Sequence, residues 1–340
     1  MSGIAEPAGH GAIRAMLRGY ADKRTASAGS ALHHAWLFAG PAGVGKFRVA
    51  RWWASLLKCP QGGACDPPCE SCRLVAVGVH PDVFETGPAP KDKNALQTAD
   101  VEIERKKSVG IAESRALLQR LALRPTRPGP RVAIVREAGT MTAEAQNALL
   151  KLLEEPPGSA VIILVTDNIG SMLTTVRSRC RHLAFGALSE DEVFEVLTRL
   201  GKDPDEARAA AACARGSVAR ALTFDAEGLA EREELLLAWE SVRRDPSGTE
   251  PLVQALLARK DSGYALTDIL EWQVAKVEAR LGRSAHEPSA DLARILGEVA
   301  TTETRTLVEE ATCIQQAIDM IARNANPKLV IRDLLMNVRA

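Results

Sequence analysis

The fold is decided by residues 35–47, which read AWLFAGPAGVGKF. The opening apolar residues end abruptly at Gly40, and a run of this length and ending is typical of a buried parallel strand. The pattern G-x-x-x-x-G-K-[ST] is nearly matched, with Gly40, Gly45 and Lys46 at its fixed positions and Gly43 between them. Glycines let backbone N–H groups face a phosphate, and the helix start and the lysine add positive potential. The sequence therefore predicts a strand, a phosphate loop and a helix in succession.

Two residues depart from a working nucleotide site. Phe47 stands where Ser or Thr would offer a hydroxyl to Mg²⁺. The apolar run 132–135 predicts a buried strand that should end in a metal-holding acidic residue, but Arg136 follows it, and then Glu137. A cation at that position repels a metal ion. We therefore predict no ATP hydrolysis by this chain. Two alternatives stay open for the loop: a structural turn or empty pocket, or nucleotide binding without turnover.

The rest of the chain divides into two halves. Short apolar runs that predict strands alternate with helical spacing in the first half, which implies a parallel sheet covered by helices on both faces. The predicted strands beyond the first are at 82–84, 132–135 and 161–165 and the predicted helices are at 111–123 and 143–153, with a polar loop at 86–108. After about residue 186 the pattern predicts helices alone, with breaks near Gly201, Gly216, 246–248 and 287–289. An α/β half therefore precedes an all-α half.

Composition sets limits on partners and location. Lys and Arg total 43, and Asp and Glu also total 43, so the formal net charge is zero. A protein that wraps nucleic acid alone usually carries a basic excess, so we expect any DNA contact to be local or shared with partner chains. No apolar run reaches the roughly 20 residues of a membrane span, and the N-terminus lacks an apolar signal-peptide core. We predict a cytoplasmic protein with reduced cysteines.

Four of the seven cysteines lie close together in the sequence. Cys59, Cys65, Cys69 and Cys72 follow the spacing C-x5-C-x3-C-x2-C. Four thiolates suit tetrahedral zinc, and a site made of cysteines alone leaves no open position for a substrate. We predict a structural zinc that closes a knuckle too poor in apolar residues to hold itself together. The alternative is a loop of free thiols, or a site that has lost its metal.

Two arginines follow the strand predicted at 161–165, in the segment 177–180, which reads RSRC. Residue patterning alone interprets Arg177 and Arg179 as solvated charges. Several further motifs argue against that interpretation. Taken in order along the chain, they resemble one family. They are LHHAWLFAG at 32–40, the four-cysteine group, HPD at 80–82, AQNALLKLLEEPP at 145–157 and RSRC at 177–180.

Together these motifs resemble the bacterial clamp-loader subunits of the AAA+ family over roughly residues 30–185. Beyond residue 225 the resemblance is limited to helical content and length. The family's ATP-hydrolysing gamma/tau type keeps both metal-holding groups, whereas its delta-prime type degrades them, so Phe47 and Arg136 favour the delta-prime type. Ala219 stands where an active subunit would carry a nucleotide-sensing arginine, and Arg220 is one place late, rotated by about 100° on a helix.

The resemblance implies an architecture, partners and a role for Arg179. It implies an AAA+ core at 1–185, a helical lid at 186–225 and a helical collar at 226–340 that joins a ring of subunits. The partners implied are gamma/tau and delta subunits, a sliding clamp and primed DNA. Arg179 would be an arginine finger that acts on the ATP site of a neighbouring subunit, and Arg177 is a secondary candidate. ATP would be bound by those neighbours.

Two rival functions carry different expectations. An active ATPase of the gamma/tau type would hydrolyse ATP as a purified chain, which Phe47 and Arg136 argue against. An unrelated interaction module, with a zinc knuckle on a P-loop-like core, would leave the RSRC segment at 177–180 unexplained.

Overall fold

A computed structural model of the chain describes residues 4–26, 33–63, 65–88, 108–258, 262–282, 290–298, 303–322 and 325–338. Within these residues five strands form one sheet in the order β2-β3-β4-β1-β5, and every neighbouring pair is parallel. The strands are β1 (Ala35–Ala39), β2 (Val83–Thr86), β3 (Val132–Val135), β4 (Val161–Thr166) and β5 (Arg181–Ala184). The carboxyl ends of these strands therefore lie along one edge, where the segments that follow them meet.

Helices cover both faces of the sheet because successive strand residues point to opposite sides. Trp36 belongs to an apolar cluster that includes Trp53 from the helix after the phosphate loop. Its neighbour Leu37 belongs to a second cluster on the other face, with Leu121 and Leu149. The helices of this part are α1 (Gly11–Ala26), α2 (Lys46–Lys58), α3 (Glu70–Ala76), α4 (Ile111–Ala122), α5 (Ala143–Glu154), α6 (Thr174–Arg177) and α7 (Glu190–Arg199), with 3-10 turns at Ala138–Thr140 and Ile169–Ser171.

The remaining described residues are helical and have a core of their own. Trp239 and Trp272 are fully buried there beside Leu266 and Ile314. The helices are α8 (Pro204–Cys213), α9 (Val218–Ala221), α10 (Ala226–Arg244), α11 (Thr249–Ala258), α12 (Ser262–Arg280), α13 (Ala290–Glu298), α14 (Thr304–Ala322) and α15 (Pro327–Asn337), with a 3-10 turn at Pro246–Gly248. The predicted α/β core with a parallel sheet, followed by an all-α region, is confirmed.

The chain folds into two compact units. The first comprises Met1–Val196 and Arg215–Ala219, and the second comprises Leu197–Ala214 and Arg220–Ala340. Within the second unit, Arg220 forms ion pairs with Asp268 and Glu271 of α12. The three-part division into core, lid and collar stays a prediction.

The predicted strands and helices of the first half lie where the sequence placed them, while β5, α3 and the four-residue helix α6 were not predicted. Strand β5 escapes detection because Leu183 is its one buried residue, so it lacks an apolar run. Helix α3 begins inside a stretch rich in Cys and Pro, whose composition is typical of loops. The predicted polar loop at 86–108 lies for the most part outside the described residues, as does the predicted break at 287–289.

Candidate functional site

The phosphate loop connects β1 to α2 in the conformation that its glycines allow. Gly43 and Gly45 have positive φ angles of 75° and 93°, in the left-handed region that favours glycine. A Cβ on Gly43 would collide with Ser217 Oγ and would lie 2.8 Å from Ala219 Cβ, so a side chain does not fit there. The Ala219 N–H also donates to the Gly43 carbonyl at 3.3 Å. The loop is therefore packed closely against residues 217–219.

Lys46, the first residue of α2, turns its ammonium group into this loop. The side chain is 4% exposed, and Nζ donates to the carbonyls of Gly40 at 2.8 Å and Pro41 at 2.5 Å. It also pairs with Asp167 Oδ1 at 2.6 Å, just beyond the end of β4. Three oxygen partners satisfy the three donors of an ammonium, so Lys46 joins the loop to the end of the sheet.

Phe47 and Arg136, the two residues at the metal-holding positions, contact each other. The Arg136 guanidinium carbon lies 5.2 Å from the centre of the Phe47 ring, within cation–π range. Arg51 approaches the same ring at 5.9 Å and pairs with Glu85 on β2. Neither Phe47 nor Arg136 offers an oxygen ligand, and the guanidinium repels a cation, so these residues do not fit a Mg²⁺ site.

The segment after β4 presents Arg179 at the surface on a fixed backbone. Val176 and Cys180, which flank the arginine, are 0% and 8% exposed and belong to the apolar cluster that also contains Leu37. Burial raises the pKa of the Cys180 thiol to about 12, so this cysteine is a packing residue and not a nucleophile. The Arg179 side chain pairs with Glu154 at the end of α5 and remains 35% exposed. Arg177 is half-buried and lies on the preceding turn.

The four cysteines predicted to bind metal converge in space. Their Sγ atoms all lie within 4.8 Å of one another, and none of the four is in a disulfide. The Sγ distances are 3.6 Å for Cys59–Cys65, 3.6 Å for Cys65–Cys72 and 3.9 Å for Cys59–Cys69. Zn–S bonds of about 2.3 Å in a tetrahedron imply S–S edges of about 3.8 Å. The cluster is positioned to hold one metal ion.

The electrostatics of the cluster also suit a metal. The Cys69 N–H lowers the pKa of the Cys65 thiol to about 7, which favours the thiolate form that binds metals. Burial raises the pKa of the Cys72 thiol, so that side chain is held as a thiol unless a cation compensates for its charge.

A buried ion pair beside the cysteines was missed by sequence reasoning. Asp82 and Lys58 have fully buried side chains, and Lys58 Nζ lies 2.9 Å from Asp82 Oδ2. The backbone N–H groups of Thr126 and Arg127 donate to the same carboxylate at 2.8 and 2.9 Å. Burial opposes ionisation of Asp82, but these hydrogen bonds and the Lys58 charge lower its pKa to about 2. The HPD motif thus ties the cysteine-bearing segment, which begins after Lys58, to the sheet.

With this geometry established, comparison with known proteins identifies the family. A family model described as DNA polymerase III, delta subunit, matches residues 22–189. The DNA polymerase III subunit delta' of Pseudomonas aeruginosa is 31% identical over 234 residues, which are 67% of this chain and 67% of that protein. The chain belongs to the family of bacterial DNA polymerase III clamp-loader subunits.

Other clamp-loader subunits are similar over a shorter range. The gamma/tau subunit of Mycobacterium tuberculosis is 36% identical over 172 residues, 50% of this chain and 27% of that protein. The gamma subunit of Buchnera aphidicola is 32% identical over 174 residues, 50% of this chain and 43% of that protein. The clamp-loader chain thus spans less than half the length of these gamma and gamma/tau relatives.

Two solved structures match most of the chain at low sequence identity. A gamma subunit-related protein from Thermotoga maritima has 21% identity and a TM-score of 0.39, with 96% of this chain and 98% of that chain covered. RuvB from the same organism has 16% identity and a TM-score of 0.43, with 88% and 85% covered. The five-stranded parallel sheet itself is the α/β core that the sequence predicts. In the described residues no helix is long and apolar enough to cross a membrane.

Proposed function

We propose that this clamp-loader subunit is of the delta-prime type and supports ATP-dependent loading of a sliding clamp on primed DNA without hydrolysing ATP itself. The observation that carries the proposal is the contact between the Arg136 guanidinium and the Phe47 ring. It occupies the two positions from which an active subunit holds Mg²⁺. The delta' subunit of Pseudomonas aeruginosa, similar over two thirds of both chains, supports the same assignment.

We assign the phosphate loop a structural role. Lys46 is satisfied by two loop carbonyls and Asp167, and Gly43 is packed against Ser217 and Ala219. These contacts favour a loop that packs against residues 217–219 as a structural element over a loop that binds and hydrolyses nucleotide. ATP is then bound by the neighbouring subunits of the complex.

Arg179 acts in trans as an arginine finger in this proposal. A guanidinium suits the role because it is always charged and offers forked donors to phosphate oxygens. The arginine side chain is 35% exposed, and its backbone is fixed by the buried neighbours Val176 and Cys180. The neighbouring ATP site belongs to a gamma/tau subunit, and a delta subunit completes the complex.

Zinc is the metal that we assign to Cys59, Cys65, Cys69 and Cys72. The set of four thiolates is typical of closed structural zinc sites, and the S–S distances of 3.6–3.9 Å fit a tetrahedron. Bound there, zinc holds the segment between α2 and α3 together.

The helical region 226–340 serves as the collar that joins the ring, and residues 186–225 form the lid. We also propose a cytoplasmic location.

Reconstitution of the loader from this chain with gamma/tau and delta subunits tests the function. Omission of the chain, or the substitution Arg179→Ala, should lower the clamp- and DNA-stimulated ATPase rate. An arginine finger contributes roughly 10³–10⁵ in rate in other phosphoryl-transfer systems. Arg179→Lys should restore little activity because an ammonium lacks the fork. Arg177→Ala is the matched control and should have a smaller effect. A wild-type ATPase rate for the Arg179→Ala loader would show that Arg179 is not an arginine finger for the neighbouring subunit.

A second candidate is an active ATPase of the gamma/tau type. It is favoured by the 36% identity with the gamma/tau subunit of Mycobacterium tuberculosis over half of this chain. The ATPase activity of the isolated chain distinguishes the two candidates. A gamma/tau-type chain would hydrolyse ATP alone, and a delta-prime-type chain would not.

A further inference from the structure

The Arg179 side chain is held by a carboxylate from a different helix. Arg179 Nε donates to Glu154 Oε1 at 2.7 Å, and Nη2 lies 2.5 Å from the same oxygen. Nη1 donates to the carbonyl of Thr175 at 2.9 Å and lies 3.5 Å from Ser178 Oγ, at the limit of hydrogen bonding. Glu154 therefore binds the side edge of the guanidinium, and Thr175 binds one of its terminal nitrogens.

These contacts leave part of the guanidinium available for another acceptor. A guanidinium has five N–H donors in a fixed plane. Glu154 takes one from Nε and one from Nη2, and the Thr175 carbonyl takes one from Nη1. One N–H on Nη2 and one N–H on Nη1, the latter near Ser178 Oγ at 3.5 Å, are not taken by Glu154 or Thr175. These two donors are available for phosphate oxygens, which guanidinium groups commonly bind.

Both ends of the contact are anchored. Glu154 is the last residue of α5 and follows Leu152 and Leu153, which are buried in the core. The Leu153 carbonyl is also bonded by the His34 ring at 2.7 Å. On the other side, the buried Val176 and Cys180 fix the backbone around Arg179, as described above. The carboxylate thus holds the arginine from a rigid element.

We propose that Glu154 is a positioning residue for the trans arginine finger, and this inference rests on the function proposed for Arg179. The carboxylate fixes the rotamer of a long side chain so that its free donors face outward before a neighbouring ATP site closes on it. Preorganisation of this kind raises the rate of the chemical step, because ordering the side chain no longer has to accompany the reaction. Its loss is expected to lower kcat while the KM for ATP, which the neighbouring subunit binds, stays the same.

The test uses the complete reconstituted loader with the full-length chain carrying Glu154→Ala, Glu154→Gln, Arg179→Ala or the double substitution. Glu154→Ala should lower the clamp- and DNA-stimulated kcat by roughly 10- to 100-fold, because misplacement of a catalytic group by about 1 Å has effects of this size. Glu154→Gln should retain intermediate activity, since its amide oxygen can still accept from Nε and Nη2. Glu155→Ala, the next residue and also an exposed carboxylate, is the matched control and should behave as the wild type.

The double variant separates positioning from a general structural role. If Glu154 acts through Arg179, then Glu154→Ala should have no further effect in the Arg179→Ala background. Additive losses, a raised KM, or a wild-type kcat for Glu154→Ala when Arg179→Ala is impaired would overturn the positioning role and leave the finger intact. A wild-type rate for Arg179→Ala would overturn the finger and the positioning role together. Gel filtration of each assembled loader confirms that every variant enters the complex.

Discussion

The guanidinium of Arg136 lies 5.2 Å from the centre of the Phe47 ring, so the two residues that depart from a nucleotide-hydrolysing sequence are partners in the folded chain. Phe47 lies in the first turn of α2, and Arg136 directly follows β3. The Mg²⁺ ligands of an active subunit come from the same two positions, which face each other across the site. In this chain a ring and a cation at these positions form a cation–π contact in place of a pair of metal ligands.

This contact should be measurable as a coupling free energy. We predict that Phe47→Leu and Arg136→Met, alone and together, give a double-mutant cycle with a coupling of roughly 0.5–1 kcal/mol in the free energy of unfolding. The cycle of Phe47→Leu with Arg51→Met is the comparison, and a smaller coupling is expected because Arg51 lies farther from the ring, at 5.9 Å. Denaturant unfolding measures all variants. A coupling of zero for Arg136 would mean that the two side chains are neighbours without an energetic contact.

The isolated chain should have no ATPase activity. Neither Phe47 nor Arg136 can hold Mg²⁺, and Lys46 is engaged by the carbonyls of its own loop. The measurement is phosphate release by the purified chain, with Lys46→Ala as the control and an active gamma/tau subunit as the positive reference. Turnover that persists in Lys46→Ala would come from a contaminant. Turnover that Lys46→Ala abolishes would show that the chain is an ATPase of the gamma/tau type.

The sequence predicted the centre of the sheet and the edge strand β2 but missed the other edge strand, β5, for a physical reason. Strands β1, β3 and β4 are buried on both faces, so each is a continuous apolar run. Strand β5 pairs with β1 alone and exposes three of its four residues, so its pattern resembles a loop. Parallel pairing through β1, fixed by contacts far along the chain, determines that it is a strand.

The candidate site was also predicted only in part from the sequence. The phosphate loop and the cysteine cluster are local in sequence, so spacing alone located them. The pairs Arg179–Glu154 and Lys58–Asp82 join residues 25 and 24 positions apart on different elements. No local pattern encodes such a pair, because the tertiary packing of the two elements creates it. The AQNALLKLLEEPP motif contained Glu154 without showing what the carboxylate binds.

Purified chain should contain one zinc ion, held by the four clustered cysteines. We expect Cys69→Ser to lower the zinc content and the melting temperature because the knuckle has little apolar core to replace the metal. Cys313→Ser is the matched control and should keep both values, since Cys313 lies on α14 outside the cluster. Elemental analysis of protein never exposed to chelators or oxidants gives the stoichiometry. A value near zero would make the cluster a set of free thiols.

The exposed apolar face of α15 should contribute to assembly. Leu329 and Met336 are 66% and 67% exposed, and their spacing of seven residues places them on one side of the helix. We predict that Leu329→Glu with Met336→Glu leaves the melting temperature nearly unchanged but reduces entry into the reconstituted loader, since charges would be buried in the collar. Leu123→Glu, at a residue 64% exposed in the first unit, is the control. Full incorporation of the double variant would contradict the role of α15 in the collar.

The stability of the fold should fall on mild acidification because of His80. This ring is 3% exposed, and its Nδ1 accepts the N–H of Asp82 at 3.0 Å. Burial, together with the Lys58 charge, lowers the pKa of His80 to about 4, whereas an unfolded histidine has a pKa of about 6.5. Between these values the unfolded chain binds a proton that the folded chain does not. The free energy of unfolding therefore decreases as the pH falls through this window.

The expected size of the effect is about 2 kcal/mol between pH 7 and pH 5, obtained from the two pKa values by linkage. Asp82 does not contribute to this slope because its pKa is lowered to about 2 and its stabilisation is lost below about pH 4. His80→Asn removes the titrating ring and keeps an acceptor for the Asp82 N–H. Denaturant unfolding of the wild type and His80→Asn at both pH values measures the difference. Any loss of metal at pH 5 affects both proteins equally. Between pH 7 and pH 5 the free energy of unfolding of the wild type should therefore fall by about 2 kcal/mol more than that of the variant. Parallel pH profiles for the two proteins would mean that His80 takes up its proton in the folded chain as readily as in the unfolded chain.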